Sequence, residues 1–330
     1  AMMPPLAATT WAIAFWLCSA ASAQESIDLD KKNAPPSKSV DGIVGVPIDI
    51  LKLQGTVVFD VEQKKALATA DLVFEMTGEG GFPLFDLRQT VSKASINRKE
   101  VSPELLSNHD FGKQAGTMRL LKESLAAGAQ HTLHLEYEIS KPASPKSMDL
   151  GWGEGTIEWD FFFSDLNQGR YLEMWFPANL IYDRFGFDLD LQILGAKEKH
   201  QIVTNATVTE VKEQEHWKLS FADSFTSFSQ MLVVIPDLMV DRSTSKVKIA
   251  GGRTILIDVC RRLEVNQSLK EVHKATADEL KRFSKSTAPW PHGDRCTVFV
   301  WTGGRSMEYD GATTTSMGAL SHELFHSWFG

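Results

Sequence analysis

The chain has 330 residues but only three cysteines, and one of these, Cys18, falls in an apolar leader. Cys260 and Cys296 remain, too few for a disulfide scaffold and without the spacing of a zinc knuckle, so both are expected to be buried free thiols. Positive charge is also short. Lys and Arg number 34 against 42 Asp and Glu, a net charge of -8, which argues against nucleic acid as a partner. No apolar run after residue 23 is long enough to cross a bilayer. No fixed-period repeat and no low-complexity stretch is visible, so solenoid and tail-like classes are set aside.

The first 23 residues carry no charged side chain, hold an apolar run around Trp11 to Leu17 and end in Ala21-Ser22-Ala23. This is expected to be a signal peptide cleaved after Ala23, giving an exported protein without a membrane span; an uncleaved N-terminal anchor is the alternative. Residues 24–46, rich in Lys, Asp, Ser, Pro and Gly, are expected to form a flexible leader.

From Leu51 the apolar period is close to two. Leu133, Leu135, Tyr137 and Ile139 alternate with His134, Glu136 and Glu138, and Phe185, Phe187, Leu189, Leu191 and Ile193 repeat the pattern. These read as half-buried antiparallel strands, and residues 47–245 as a mostly β domain, a sandwich or saddle of sheets. Beyond residue 245 the pattern changes. A strand at Thr254 to Cys260 precedes a helix capped by Ser268-Leu-Lys-Glu271, whose Leu269, Val272, Thr276, Leu280 and Phe283 form one apolar stripe. A strand at Cys296 to Trp301 and a last helix follow, so residues 246–330 read as the start of an α/β domain.

That last helix carries the chemistry. Ser321-His-Glu-Leu-Phe-His326 contains H-E-x-x-H, which puts His322 and His326 one turn apart on one face, able to aim two imidazoles at one metal ion. Glu323 is placed to take the proton of a water that the metal acidifies. Leu324, Phe325, Trp328 and Phe329 surround the pair and suit a buried helix with a polar site cut into it.

Three segments resemble the M1 family of zinc aminopeptidases, gluzincins related to aminopeptidase N and leukotriene A4 hydrolase. His322-Glu-Leu-Phe-His-Ser-Trp-Phe-Gly330 is similar to H-E-L-x-H-x-W-F-G, Ser306-Met-Glu-Tyr309 to the end of G-x-M-E-N, and Trp175-Phe-Pro177 to the W-F-P segment of the family's β domain. The family's Gly, Ala and Asn positions in the second motif hold Arg305, Ser306 and Tyr309 here. The resemblance implies a thermolysin-like catalytic domain after the β domain, and one Zn2+ held by His322 and His326. It also implies Glu323 as general base, Glu308 binding the free α-amine of the substrate, and peptides with a free N-terminus as partners. A third zinc ligand and a transition-state tyrosine would lie on later segments of such a protein, so the chain as given is expected to be a truncated, inactive front portion. The M61 glycyl aminopeptidases share the helix type and are one alternative. A non-catalytic M1-like scaffold that binds peptide or protein is the other.

Overall fold

The computed structural model describes residues 36–40, 42–78, 80–110, 117–141, 150–160, 172–179, 183–211, 215–303 and 306–329. The expected signal peptide and Arg305 lie outside these residues. The described strands form three sheets, the first two interleaved along the chain and the third following them.

The largest sheet is built on Ile43–Asp60, whose Leu53, Gly55, Val57 and Phe59 are buried while Gln54 and Thr56 between them face outward. Lys65–Met76 pairs antiparallel with it, and His131–Glu138 pairs antiparallel with Lys65–Met76, burying Leu133, Leu135 and Tyr137 as the alternation predicts. Gly186–Leu194 meets that prediction on one side only, since it pairs antiparallel with His216–Phe221 but parallel with Ile43–Asp60, with Leu189 opposite Gly55. Its alternation reports a half-buried strand and carries no information about direction. The direction follows from the long excursion of the chain through the second sheet before it returns. Residues 38–46, within the expected leader, are also mostly strand: Lys38–Val40 folds back on Ile43–Asp60, and Gly45 to Pro47 run alongside Phe82 to Leu84. Backbone pairing at a sheet edge supplies this order without an apolar period to announce it.

The W-F-P segment seals this core. Trp175 and Phe176 are fully buried, Tyr137 Oη donates to the Trp175 carbonyl at 2.8 Å, and Trp159 meets Trp175 edge-on at 5.3 Å. Gly55 makes the approach possible, since a Cβ there would come within 2.6 Å of the Phe176 ring.

A four-stranded sheet, ordered Gly151–Trp152, Ile157–Asp160, Leu232–Pro236 and His200–Thr204, is shared between two cores. Leu232 and Val234 pack into the first core, whereas Val203, Val233 and Ile235 pack against Cys260, Phe299 and Tyr309 of the third sheet. That third sheet is ordered Val240–Lys248, Thr254–Arg262, Arg295–Val300, Ala312–Thr315 and Met307–Tyr309, its three inner strands parallel and both edges antiparallel. Val240–Lys248 crosses the division expected at 245–246 by pairing into this sheet. Helix α1, Leu269–Ser286, forms the crossover between parallel strands, as the capping box and stripe predict: Glu271 N donates to Ser268 Oγ, and Val272, Thr276, Leu280 and Phe283 are buried.

Cys260 and Cys296 are both buried and unbridged. They lie on neighbouring strands in separate cores, Cys260 opposite Phe299 and Cys296 opposite Ile257, so the sheet itself stands between the sulfurs. Burial pushes each thiol up to about 12.

Candidate metal centre

Helix α2, Leu320–His326, is seven residues long and gains most of its order from packing. Leu320 and Leu324 anchor it in the core beneath α1, and Phe283 of α1 meets Phe325 and Trp328 at 5.2 and 5.4 Å. The expectation that all four large apolar residues would be buried holds for Leu324 and fails for two others. Phe325 and Phe329 stack on each other at 4.6 Å and remain 40% and 52% exposed, Phe325 meeting α1 at the Phe283 ring while its other side stays open.

On the face of α2 opposite the buried Leu320 and Leu324, His322 and His326 come together, their Nε2 atoms 3.2 Å apart. Two imidazoles on one tetrahedral zinc, each bonded at about 2.0–2.1 Å, place their nitrogens about 3.3 Å apart. The spacing therefore fits a single ion. In the metal-free protein one Nε2 must carry a proton and donate it to the other, and a metal would take that proton's place. His326 Nδ1 is buried and bonds to nothing among the described residues, the proton-bearing position of a ring that coordinates through Nε2.

Glu323 is 6% exposed and is pushed up to about 7, first by burial and then by the charge of Glu308 and a hydrogen bond to it. Glu308 reaches it from the edge strand Met307–Tyr309, where it pairs with Thr313. Strand alternation sends Met307 and Tyr309 into the core shared with the four-stranded sheet and turns Glu308 toward α2. Glu308, Glu323 and His326 accordingly present ligand-capable atoms within 4.8 Å of one another. Three of the four residues singled out in the sequence thus meet, and His322 lies beside them against His326. The donor set, imidazole nitrogen with carboxylate oxygen, is one that zinc accepts.

One further feature had no motif to reveal it: Asp160, at the end of Ile157–Asp160, lies close enough to Tyr309 to raise its phenol along with burial. Ser306 Oγ accepts from Ser316 N at 3.0 Å and from Thr315 Oγ1 at 3.3 Å, which ties the start of the Glu308 strand to the approach of α2. Asn205, part of a sequon, is committed elsewhere: its amide donates to the carbonyls of Ser229 and Asp310 at 2.7 and 2.9 Å, joining the β-rich part to the turn after Glu308.

No described family and no curated relative matches the sequence. Solved structures do. An M1 zinc metallopeptidase from Deinococcus radiodurans aligns at a TM-score of 0.61 and 17% identity, covering 86% of this chain and 64% of its own. A two-domain M1 zinc metallopeptidase variant bound to L-arginine aligns at 0.58 and 17%, covering 86% and 65%. Legionella pneumophila aminopeptidase A in complex with aspartic acid aligns at 0.61 and 12%, covering 89% and 35%. The chain spans less than two thirds of each of these proteins. Its β-rich sheets, followed by the five-stranded sheet and the H-E-x-x-H helix, have the fold of the M1 metallopeptidases.

Proposed function

We propose that the protein is an exported zinc-dependent aminopeptidase, releasing N-terminal residues from peptides. One observation carries the reading: α2 and the strand Met307–Tyr309 bring Glu308, Glu323 and His326 within reach of one another, and His322 Nε2 lies 3.2 Å from His326 Nε2, a spacing that suits a single ion. The uncharged leader ending at Ala23 supports export. The structural relatives include M1 metallopeptidases bound to amino acids and to a tripeptide substrate, which supports peptides as the substrate class.

His322 and His326 would hold the ion. When bound, zinc supplies a Lewis acid that polarises the scissile carbonyl and lowers the pKa of water to roughly 7. Glu323, itself near 7, is matched to take a proton from the attacking water and to return it to the departing amine. Glu308 would accept a charge-assisted hydrogen bond from the substrate's α-ammonium group. An amine anchor beside the nucleophile admits only the first peptide bond.

The test compares aminoacyl anilides that carry a free amine with their N-acetyl counterparts. In the full-length protein the free-amine substrates are expected to be cleaved and the acetylated ones left intact. Glu323→Gln retains zinc and loses about 10²- to 10⁴-fold in turnover, while Glu308→Ala mainly raises KM for free-amine substrates. Equal cleavage of both substrate types would remove the amine-anchor role, and full turnover in zinc-loaded Glu323→Gln would remove the general base.

A further inference from the structure

The connection between α1 and the strand Arg295–Val300 touches both halves of the metal centre. Trp290, fully buried, donates its indole N–H to the carbonyls of His292 and Arg295 at 3.0 and 3.2 Å, which fixes the path of the loop. Its ring meets Trp328 edge-on at 5.1 Å, and Trp328 Nε1 donates to the Ala288 carbonyl at 2.8 Å. The loop therefore grips the residues that follow α2.

His292 is the polar contact in this grip. Its Nε2 donates to the carbonyl of Ser327, the residue after His326, at 3.0 Å. On its other side Nδ1 lies 3.7 Å from Asp310 Oδ1, two residues beyond Glu308. Gly311, at φ +73, brings the backbone of that turn so close that a Cβ there would stand 3.1 Å from His292 Cβ. The ring is thus wedged between the end of α2 and the turn that carries Glu308.

A two-turn helix has little stability of its own. His326 closes α2, the backbone N–H groups of Ser327, Trp328 and Phe329 meet the carbonyls of Leu324, Phe325 and His326, and His292 meets the next carbonyl, that of Ser327. We infer that His292 is a positioning residue for the metal centre, setting the distance between the His326 end of α2 and Glu308. The inference rests on the metal reading above. Small displacements matter here, because residues that orient metal ligands without touching the metal commonly change affinity by 10- to 100-fold.

The probe is Co2+, titrated into the metal-free protein against a competing chelator and followed by its visible absorption. His292→Ala is expected to weaken Co2+ binding by about tenfold or more and to alter the spectrum. His292→Gln, whose amide N–H can replace Nε2–H, should return affinity to within about threefold of the parent. Gly311→Ala, which pushes on the ring from the other side, should weaken binding in the same direction, and it carries the test should His292→Ala fail to fold. Folded His292→Ala with unchanged affinity and spectrum would reduce His292 to packing and overturn the inference. If the parent protein takes up no Co2+ at all, the metal reading itself falls, and the positioning role falls with it.

Discussion

At Glu323, burial and the neighbouring Glu308 act in the same direction, and the carboxyl group is pushed up to about 7 from an ordinary value of 4.5. The folded metal-free chain then binds more protons than the unfolded chain between those values. Its stability is fully present at the acid end of that window and falls as pH rises toward 7, by up to about 3 kcal/mol. Asp86, raised by burial and by Glu173, adds a slope of the same sign. The difference between the parent and Glu323→Gln therefore isolates the share of Glu323. Urea unfolding of both metal-free proteins from pH 5 to 8 should show the variant gaining on the parent as pH rises, whereas parallel curves would mean that Glu323 ionises as an ordinary carboxylate. His322, Glu323 and His326 were legible in the sequence because helical spacing alone puts them on neighbouring positions. Asp160 was not, because its approach to Tyr309 depends on how one sheet packs on another.

Among the elements, α2 depends on α1. Phe283 is 5% exposed and contacts both Phe325 and Trp328, so Phe283→Ala removes one of the few surfaces that hold the short helix. Truncating a buried Phe commonly costs about 3–5 kcal/mol, and denaturant midpoints should show a loss of that order. A loss below about 1 kcal/mol would mean that α2 is held by something other than this contact. The helix α1 was readable to its first residue, since Ser268 and Glu271 cap it through purely local bonds. The strand Gly186–Leu194 was readable as a strand and as the antiparallel partner it is to His216–Phe221, whereas its parallel pairing with Ile43–Asp60 was not, since that partner lies more than a hundred residues earlier in the chain. Edge strands such as Lys38–Val40 left no apolar signal, because what orders them is backbone hydrogen bonding to a neighbour.

On the scale of the whole molecule, the β-rich part and the metal-bearing part share one core and several polar ties. Arg242 donates to the Ile202 carbonyl at 2.8 Å, Arg262 pairs with Glu158 at 2.9 Å, and Thr297 Oγ1 donates to the Thr204 carbonyl at 3.3 Å. The charge behind Arg242 is settled by Asp258, whose carboxyl is held below its ordinary range by Arg242 and Arg295 against the opposing effect of burial. These contacts fix the four-stranded sheet against the strands that lead to Glu308 and α2, which is how a sheet far back in the sequence comes to border the candidate site. The M1-like order of domains was visible in the sequence through three short motifs, and the seam between the domains was not, because no local pattern encodes it. The central claim is that His322 and His326 hold a metal ion. Zinc content of the purified full-length protein, measured after dialysis against Zn2+ and compared with His326→Ala and Glu323→Gln, tests it most directly. The account predicts one zinc per chain in the parent and in Glu323→Gln and loss of the metal in His326→Ala; a parent without zinc, or a His326→Ala variant that keeps one ion per chain, would contradict it.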